Sequence, residues 1–287
     1  MISRREMLAR ATRAGLGVFA LPALAQGAQT ERAVRNGRLK QSVSRWPYKG
    51  IPFPDFCRAC AAMGLPAIDL LNPEDWPVAR EHGLTCSMGY AGGGTIVDGL
   101  NDPANHEAIV AGLTKGIPLA AKAGVPNVIT FFGNRRGRGD DEAIRNCVSA
   151  LNRVKRVAED HDVTICIELL NSKVNHKDYH GDRTAFGVAV VTEVNSPRVK
   201  LLYDIYHMQI MEGDVIATIR EQSKWIAHYH TGGVPGRHEL DDTQELNWVA
   251  IAKAIVATGF TGYFAHEFVP TRDPLTSLRE AVLLCDV

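Results

Sequence analysis

Cysteine is sparse and unpatterned in this chain. The six (Cys57, Cys60, Cys86, Cys147, Cys166 and Cys285) fall at irregular spacings, and Cys57-x-x-Cys60 has no second pair to complete a zinc site. That pair lies in a stretch with helical periodicity, so it predicts buried helix thiols and not a redox motif. Net charge is missing as well, with 32 basic and 32 acidic residues. Without residues 1–25, which hold four Arg and one Glu, 28 basic and 31 acidic residues remain, a balance of −3. Such a chain has no electrostatic reason to bind nucleic acid or an anionic membrane. The apolar stretch Ala14 to Leu24 is too short and too rich in Gly and Pro to span a bilayer. Gly92-Gly93-Gly94 lacks the Lys-Ser/Thr that follows in a phosphate loop, and reads as a plain flexible loop.

What is present begins with an address. Ser3-Arg4-Arg5-Glu6-Met7-Leu8 is a twin-arginine signal, and Ala23-Leu24-Ala25 is a small-x-small cleavage site. The expectation is a signal peptide over 1–25, a flexible leader over 26–38, a domain over 39–287, and a periplasmic location. Free thiols are compatible with that address, because the twin-arginine route carries folded protein.

With 45% hydrophobic and 22% charged residues, the chain can bury a large core. From Leu39 onward, short β-rich runs alternate with amphipathic helical stretches, eight times and with no break in composition. The predicted helices include Phe53 to Met63, His106 to Ala123 closed by Gly124, Asp140 to Asp160 with acids in its first turn, and Trp248 to Thr258 closed by Gly259. Strand–helix alternation implies a parallel sheet with right-handed crossovers. A doubly wound open sheet would not gather four consecutive strand ends around one point. The α/β class resolves to a (β/α)8 TIM barrel, whose active sites lie at strand C-terminal ends.

Four apolar runs in the second half end in chemistry. Val163 to Ile167 ends in Glu168, and Lys200 to Tyr203 ends in Asp204. Trp225 to Tyr229 carries His228 and is followed by His230, and Gly262 to Ala265 ends in His266-Glu267. A carboxylate at the mouth of a buried strand is costly unless a cation or hydrogen-bond network receives it. Two Glu, one Asp and one His make a hard, oxygen-dominated ring that suits Mn²⁺ or Mg²⁺ and can accept Co²⁺ or Zn²⁺. His228 and His230 share a strand face, so either could be the ligand. His266 points away from Glu267 and reads as a packing histidine. His207 lies on the rim, placed to donate to a substrate oxygen. The loop histidines His176, His180 and His238 stay undecided. The basic loop Gly133 to Gly139 either holds an anionic substrate group or is solvated.

Tyr203-Asp204-x-Tyr206-His207-Met208-Gln209-x-Met211-Glu212-Gly213, followed by Gly233-Val234-Pro235-Gly236-Arg237-His238-Glu239, resembles the hydroxypyruvate isomerase family. That family belongs to the xylose-isomerase-like barrels, with tagatose epimerases and endonuclease IV as relatives. The resemblance covers about Leu39 to Val287. It implies Glu168, Asp204, His230 and Glu267 as metal ligands, with Glu168 and Glu267 also moving the proton. His207 and Arg237 match residues that hold substrate oxygens. Asn171, within Glu168-Leu169-Leu170-Asn171-Ser172, is placed with them. The implied partner is a small hydroxy-carbonyl compound or keto-sugar. A homo-oligomer is compatible, since dimers and tetramers both occur among the relatives.

Two features depart from the isomerases: the export signal, and His230 where they can have Gln. The expected reaction is isomerisation or epimerisation through an enediolate. A lyase or hydratase acting on 3-oxo-sugars is the alternative, with Arg135, Arg136 and Asn175 on long loops able to admit a larger sugar. A binding protein without turnover conflicts with the intact carboxylate pair. A multi-zinc nuclease site needs more strand-end histidines than this chain has.

Overall fold

The structure is a computed structural model that describes residues 32–287. The signal peptide and most of the expected leader lie outside the described residues. Residues 32–38, the end of that leader, are tied down. The backbone N–H groups of Arg35, Asn36 and Gly37 all donate to the Asp286 carboxylate, and Ala33 N–H donates to Met63 O.

Nine strands among the described residues form one parallel sheet. They are β1 (Lys40–Ser44), β2 (Ala67–Asp69), β3 (Thr85–Cys86), β4 (Gly89–Gly93), β5 (Asn127–Phe131), β6 (Thr164–Leu169), β7 (Val199–Asp204), β8 (Ile226–Thr231) and β9 (Tyr263–His266). Their order is β3-β2-β1-β9-β8-β7-β6-β5-β4. The third predicted strand is interrupted: β3 pairs with β2, β4 pairs with β5, and a bridge between Leu71 and Gly89 joins the ends. The result is the expected eight-fold barrel. Helices α1 (Phe53–Met63), α2 (Trp76–Glu81), α3 (His106–Ala123), α4 (Asp140–Asp160), α5 (Thr184–Val194), α6 (Ile205–Met211), α7 (Val215–Gln222), α8 (Trp248–Ala257) and α9 (Pro274–Cys285) connect the strands. No helix among the described residues is long and apolar enough to cross a membrane.

Local chemistry explains these elements. β5 and β6 are buried along their whole length, which is why they read as continuous apolar runs. In α4, Ala143, Cys147, Ala150, Leu151, Val154 and Ala158 make one buried stripe, and Asp140, Asp141 and Glu142 meet the positive end of the helix dipole. Burying Leu151 alone is worth about 1.5–3 kcal/mol, so Leu151→Asp would detach α4. Gly64 and Gly124, with φ of 88° and 74°, cap α1 and α3 in the left-handed conformation.

The glycine cluster is not a free loop. Gly93 pairs with Thr130 inside the sheet, where a Cβ would lie 2.3 Å from Ile129 O. Gly92, at φ 78°, packs on Gly112 of α3, where a Cβ would come within 2.8 Å of backbone. Close strand–helix approach, not mobility, accounts for these glycines. All six cysteines are buried and free, and burial pushes the Cys57 thiol up to about 11.

Candidate active site

Register brings the polar strand ends to one height. Asp204 pairs with His230 across β7 and β8, Glu168 stands between Phe131 and Leu202, and Glu267 follows β9 with its N–H on Thr231 O. Strand alternation turns His228 and His230 to the same face, and the structure separates their roles. Four ligand atoms, from Glu168, Asp204, His230 and Glu267, lie within 4.8 Å of one another, and all four residues are buried. His230 Nδ1 is 2.6 Å from Glu267 Oε2, 3.2 Å from Glu168 Oε1 and 3.9 Å from Asp204 Oδ2. His228 sits deeper, beside Asp69.

Three carboxylates this close repel strongly. Two unit charges about 5 Å apart cost about 3 kcal/mol at an effective dielectric of 20. Burial and the neighbouring Glu267 and Asp204 push Glu168 up to about 7, and burial with Glu267 pushes Asp204 up to about 6. Glu267 goes the other way: burial would raise it, but Arg237 and His230 hold it well below the usual carboxylate range.

Arg237 answers part of this charge. Its Nη2 lies 3.0 Å from Asp204 Oδ2 and 2.5 Å from Glu267 Oε2. Its guanidinium lies over the Trp46 and Tyr206 rings, 5.5 and 5.1 Å from their centroids. A left-handed backbone (φ 62°) just after Gly236 turns it inward. Trp46 Nε1–H donates to Glu267 Oε1 at 2.6 Å.

Asp69, at the end of β2, has no place in the expectations above. It is fully buried, and its Oδ2 accepts from His230 Nε2 at 2.9 Å. Its Oδ1 lies 3.1 Å from His228 Nε2 and 2.5 Å from Ser87 Oγ. His228 and His230 hold its carboxylate well below the ordinary range against burial. With Nε2 on Asp69, His230 presents Nδ1 to the three acids. That buried nitrogen has no hydrogen-bond partner, because the nearby carboxylate oxygens lie off its hydrogen-bond direction. An orphaned imidazole nitrogen facing three carboxylates, its far side fixed by a fourth, is a donor set that fits a divalent cation.

The other predicted residues distribute unequally. His207 is fully buried, one layer behind the cavity wall. Asp204 caps α6 by accepting from His207 N–H, which folds the ring inward and off the rim. His207 Nδ1 accepts from Asn171 N–H at 3.0 Å, and Nε2 lies 2.9 Å from Arg237 Nη1. Asn171 is buried in the same layer, its side chain accepting from Val174 and Asn175 N–H. Both therefore stand behind Arg237 and the loop after β6. His266 bonds Thr231 and Gln41 in the packed layer outside the barrel wall, as expected of a packing histidine.

Of the three undecided histidines, His176 lines the cavity. His180 is tied to Asn101 and Asp140, and His238 is exposed. The basic loop is neutralised. Arg135 pairs with Asp140 and Asp182, Arg136 with Asp98 and Asp102, and Arg138 with Asp102. These pairs order the loop and leave it no anion-binding role.

The cavity over the acids measures 510 Å³. Glu168, Glu267, Arg237, Asn175 and His176 line it, with Trp46 beside Glu267 and Arg237, together with Tyr90 and a group of aliphatic side chains. Asp69, Trp46 and Tyr90 carry no signal of their own in the sequence beyond an acid or ring inside an apolar run.

A closed parallel barrel with a buried carboxylate–histidine cluster at its strand C-terminal ends defines the class of an α/β-barrel enzyme. Residues 57–285 match the xylose isomerase-like TIM barrel family, and the chain belongs to it. It is 26% identical over 238 residues to a human protein whose name assigns it provisionally to hydroxypyruvate isomerase, covering 81% of this chain and 80% of that one. It is 28% identical over 238 residues to a 2-oxo-tetronate isomerase of Cupriavidus necator, covering 78% and 89%. The structure of an AP endonuclease family 2 protein from Brucella melitensis superposes with a TM-score of 0.75 at 20% identity, over 84% of this chain and 97% of that one, a likeness of fold alone.

Proposed function

We propose that the protein is a divalent-metal-dependent isomerase or epimerase of a hydroxy-carbonyl compound, with Glu168 and Glu267 moving the proton. One observation carries this reading. Two carboxylates from different strands flank one orphaned imidazole nitrogen at 3.2 and 2.6 Å, and both line the cavity. The family and the isomerase relatives support it.

Glu168, Asp204, His230 and Glu267 would hold the ion, which suits Mn²⁺ or Mg²⁺. Bound there, it would polarise a carbonyl and the neighbouring hydroxyl and so acidify the C–H between them. The chain's own residues do the rest. Glu267 is anchored at both oxygens, by Trp46 on one and by Arg237 on the other. Glu168 Oε2 hydrogen-bonds nothing among the described residues, so it can take a proton from the substrate carbon. Returning that proton to the adjacent carbon, as the hydroxyl proton passes to the former carbonyl oxygen, gives isomerisation, and delivery from the opposite carboxylate to the other face of the same carbon gives epimerisation.

Arg237 supplies positive charge where the substrate oxygen becomes anionic. It is poised to shift. With Nδ1 accepting from Asn171, His207 carries its proton on Nε2 and points a donor at a donor. A substrate oxygen that draws the guanidinium away relieves this.

Proton NMR in D₂O tests the reading, with Mg²⁺- or Mn²⁺-loaded protein and the metal chelated before acquisition. Hydroxypyruvate and a 3-oxo-glucoside should be the first compounds. Exchange of the C–H next to the carbonyl, lost in Glu267→Gln and after metal removal, is expected. No exchange in any hydroxy-carbonyl compound by protein shown to hold metal would overturn it.

A further inference from the structure

We propose that the substrate is a keto-sugar carrying an apolar aglycone, held with its hydroxy-carbonyl end on the acids and its aglycone on the opposite wall. This rests on the proton-transfer reading above and goes beyond it in naming what the rest of the cavity holds. Size is the first ground. A three-carbon hydroxy acid of about seven heavy atoms, at no more than about 30 Å³ each, needs roughly 200 Å³. The cavity offers 510 Å³.

Chemistry is the second ground. On the half made by β2 to β5 the cavity is lined by Leu70, Ile96, Ile129 and Phe131, with Tyr90 offering a hydroxyl, and Leu170 and Val269 add apolar surface in the loops after Glu168 and Glu267. A bare sugar would strand its distal hydroxyls against this surface, at the cost of their hydrogen bonds to water. An apolar group loses nothing there and leaves water.

Backbone strain is the third ground. Leu70 holds a left-handed conformation (φ 55°), which a non-glycine residue adopts at a cost of about 1–2 kcal/mol. That twist follows Asp69, so one turn sets the carboxylate under His230 and the aliphatic chain into the cavity. Strain kept at such a point marks function.

The mouth repeats the pattern. Five large apolar side chains among the described residues are exposed: Trp46, Val97, Leu119, Val174 and Leu283. Trp46 lines the cavity, Val97 follows lining residue Ile96, and Val174 precedes lining residue Asn175. Trp46, which both lines the cavity and reaches solvent, carries the apolar lining out to the mouth.

The test compares phenyl and methyl glycosides of a 3-oxo-hexose with hydroxypyruvate, using C–H to C–D exchange and calorimetric affinity on metal-loaded protein. The phenyl glycoside should exceed the methyl glycoside about 10- to 100-fold in kcat/KM. Ile96→Ser/Val97→Ser, in the loop after β4 where Ile96 packs against the edge of the core, and checked for an unchanged melting temperature, should bring that ratio below about threefold.

Equal rates for the two glycosides, or hydroxypyruvate as the fastest, would overturn the proposal. So would a concentration-dependent dimer that Val97→Ser/Val174→Ser dissociates, because the exposed apolar residues next to the lining segments would then be a subunit interface. If no compound exchanges, the proton-transfer reading falls. Affinity then decides the aglycone alone: tighter phenyl binding that the variant loses supports it, and equal binding overturns it.

Discussion

The two halves of the barrel mouth are built to different rules. On the half made by β6 to β9, each strand ends in an acid or a histidine, and these groups lie within ion-pair reach of one another. On the half made by β2 to β5, the cavity sees Leu70, Tyr90, Ile129 and Phe131. Asp69 is the exception that clarifies the rule. It stands on the apolar half, yet its carboxylate reaches under the site to His228 and His230. Buried charge is tolerated in partnered sets, so the charges gather on one half and the other is left as contact surface.

The most forceful way to break this division is to compare one conservative change on each half. Glu168→Gln keeps the shape and removes the base, and should lower kcat/KM for C–H exchange by about 10²- to 10⁴-fold. Phe131→Leu keeps an apolar wall and should cost less than about tenfold, as small changes in an apolar pocket do. Exchange rates with one good substrate decide it. Comparable losses from the two variants would mean that both halves touch the reacting atoms.

The Asp69 exception gives a sharper test with a smaller effect. If Asp69 serves by fixing the His230 ring, Asp69→Asn should weaken divalent-metal affinity by about 10- to 100-fold. A competitive titration against a coloured chelator reads this without any substrate. Unchanged affinity would make Asp69 a structural acid, satisfied by Ser87 and the two histidines for its own sake.

Asp69 also shows where reading the sequence stops. Glu168, Asp204, His230 and Glu267 are visible because each closes or nearly closes an apolar run, and four such endings at strand–helix spacing imply one ring. Asp69 sits inside Ala67 to Leu71, and its partner is 161 residues away, so no local pattern pairs them. His207 is legible as a neighbour of the site, but its depth is not. That depth follows from α6 starting directly after Asp204, a cap that looks like any strand end until the helix is seen. Arg135, Arg136 and Arg138 read as a basic loop because Asp98, Asp102 and Asp182 lie on other segments. The barrel itself is legible throughout, since periodicity and capping are local. Only the break at Ser87-Met88 and the packed glycines of β4 depend on neighbours distant in sequence.

The polar half is polar on its inner face alone, and His266 tests that limit. It belongs to β9, the strand that leads into Glu267, but points into the packed layer outside the barrel wall. There it bonds Thr231 and Gln41, and burial depresses its pKa to about 3. An imidazole whose folded pKa lies below its unfolded value stays neutral while the unfolded chain takes up a proton. Stability is therefore fully present above about pH 6.5 and falls as pH drops from there towards 3. The slope from this one residue is about 1.4 kcal/mol per pH unit. His266→Gln keeps a polar side chain against Gln41 and Thr231 without a titrating ring. Urea midpoints at pH 7.5 and 5.5 should show the wild type losing about 1.4 kcal/mol more than the variant over that interval. Parallel losses would mean that His266 is solvated or charged in the folded chain, and that polarity on this half follows the strand and not its inner face.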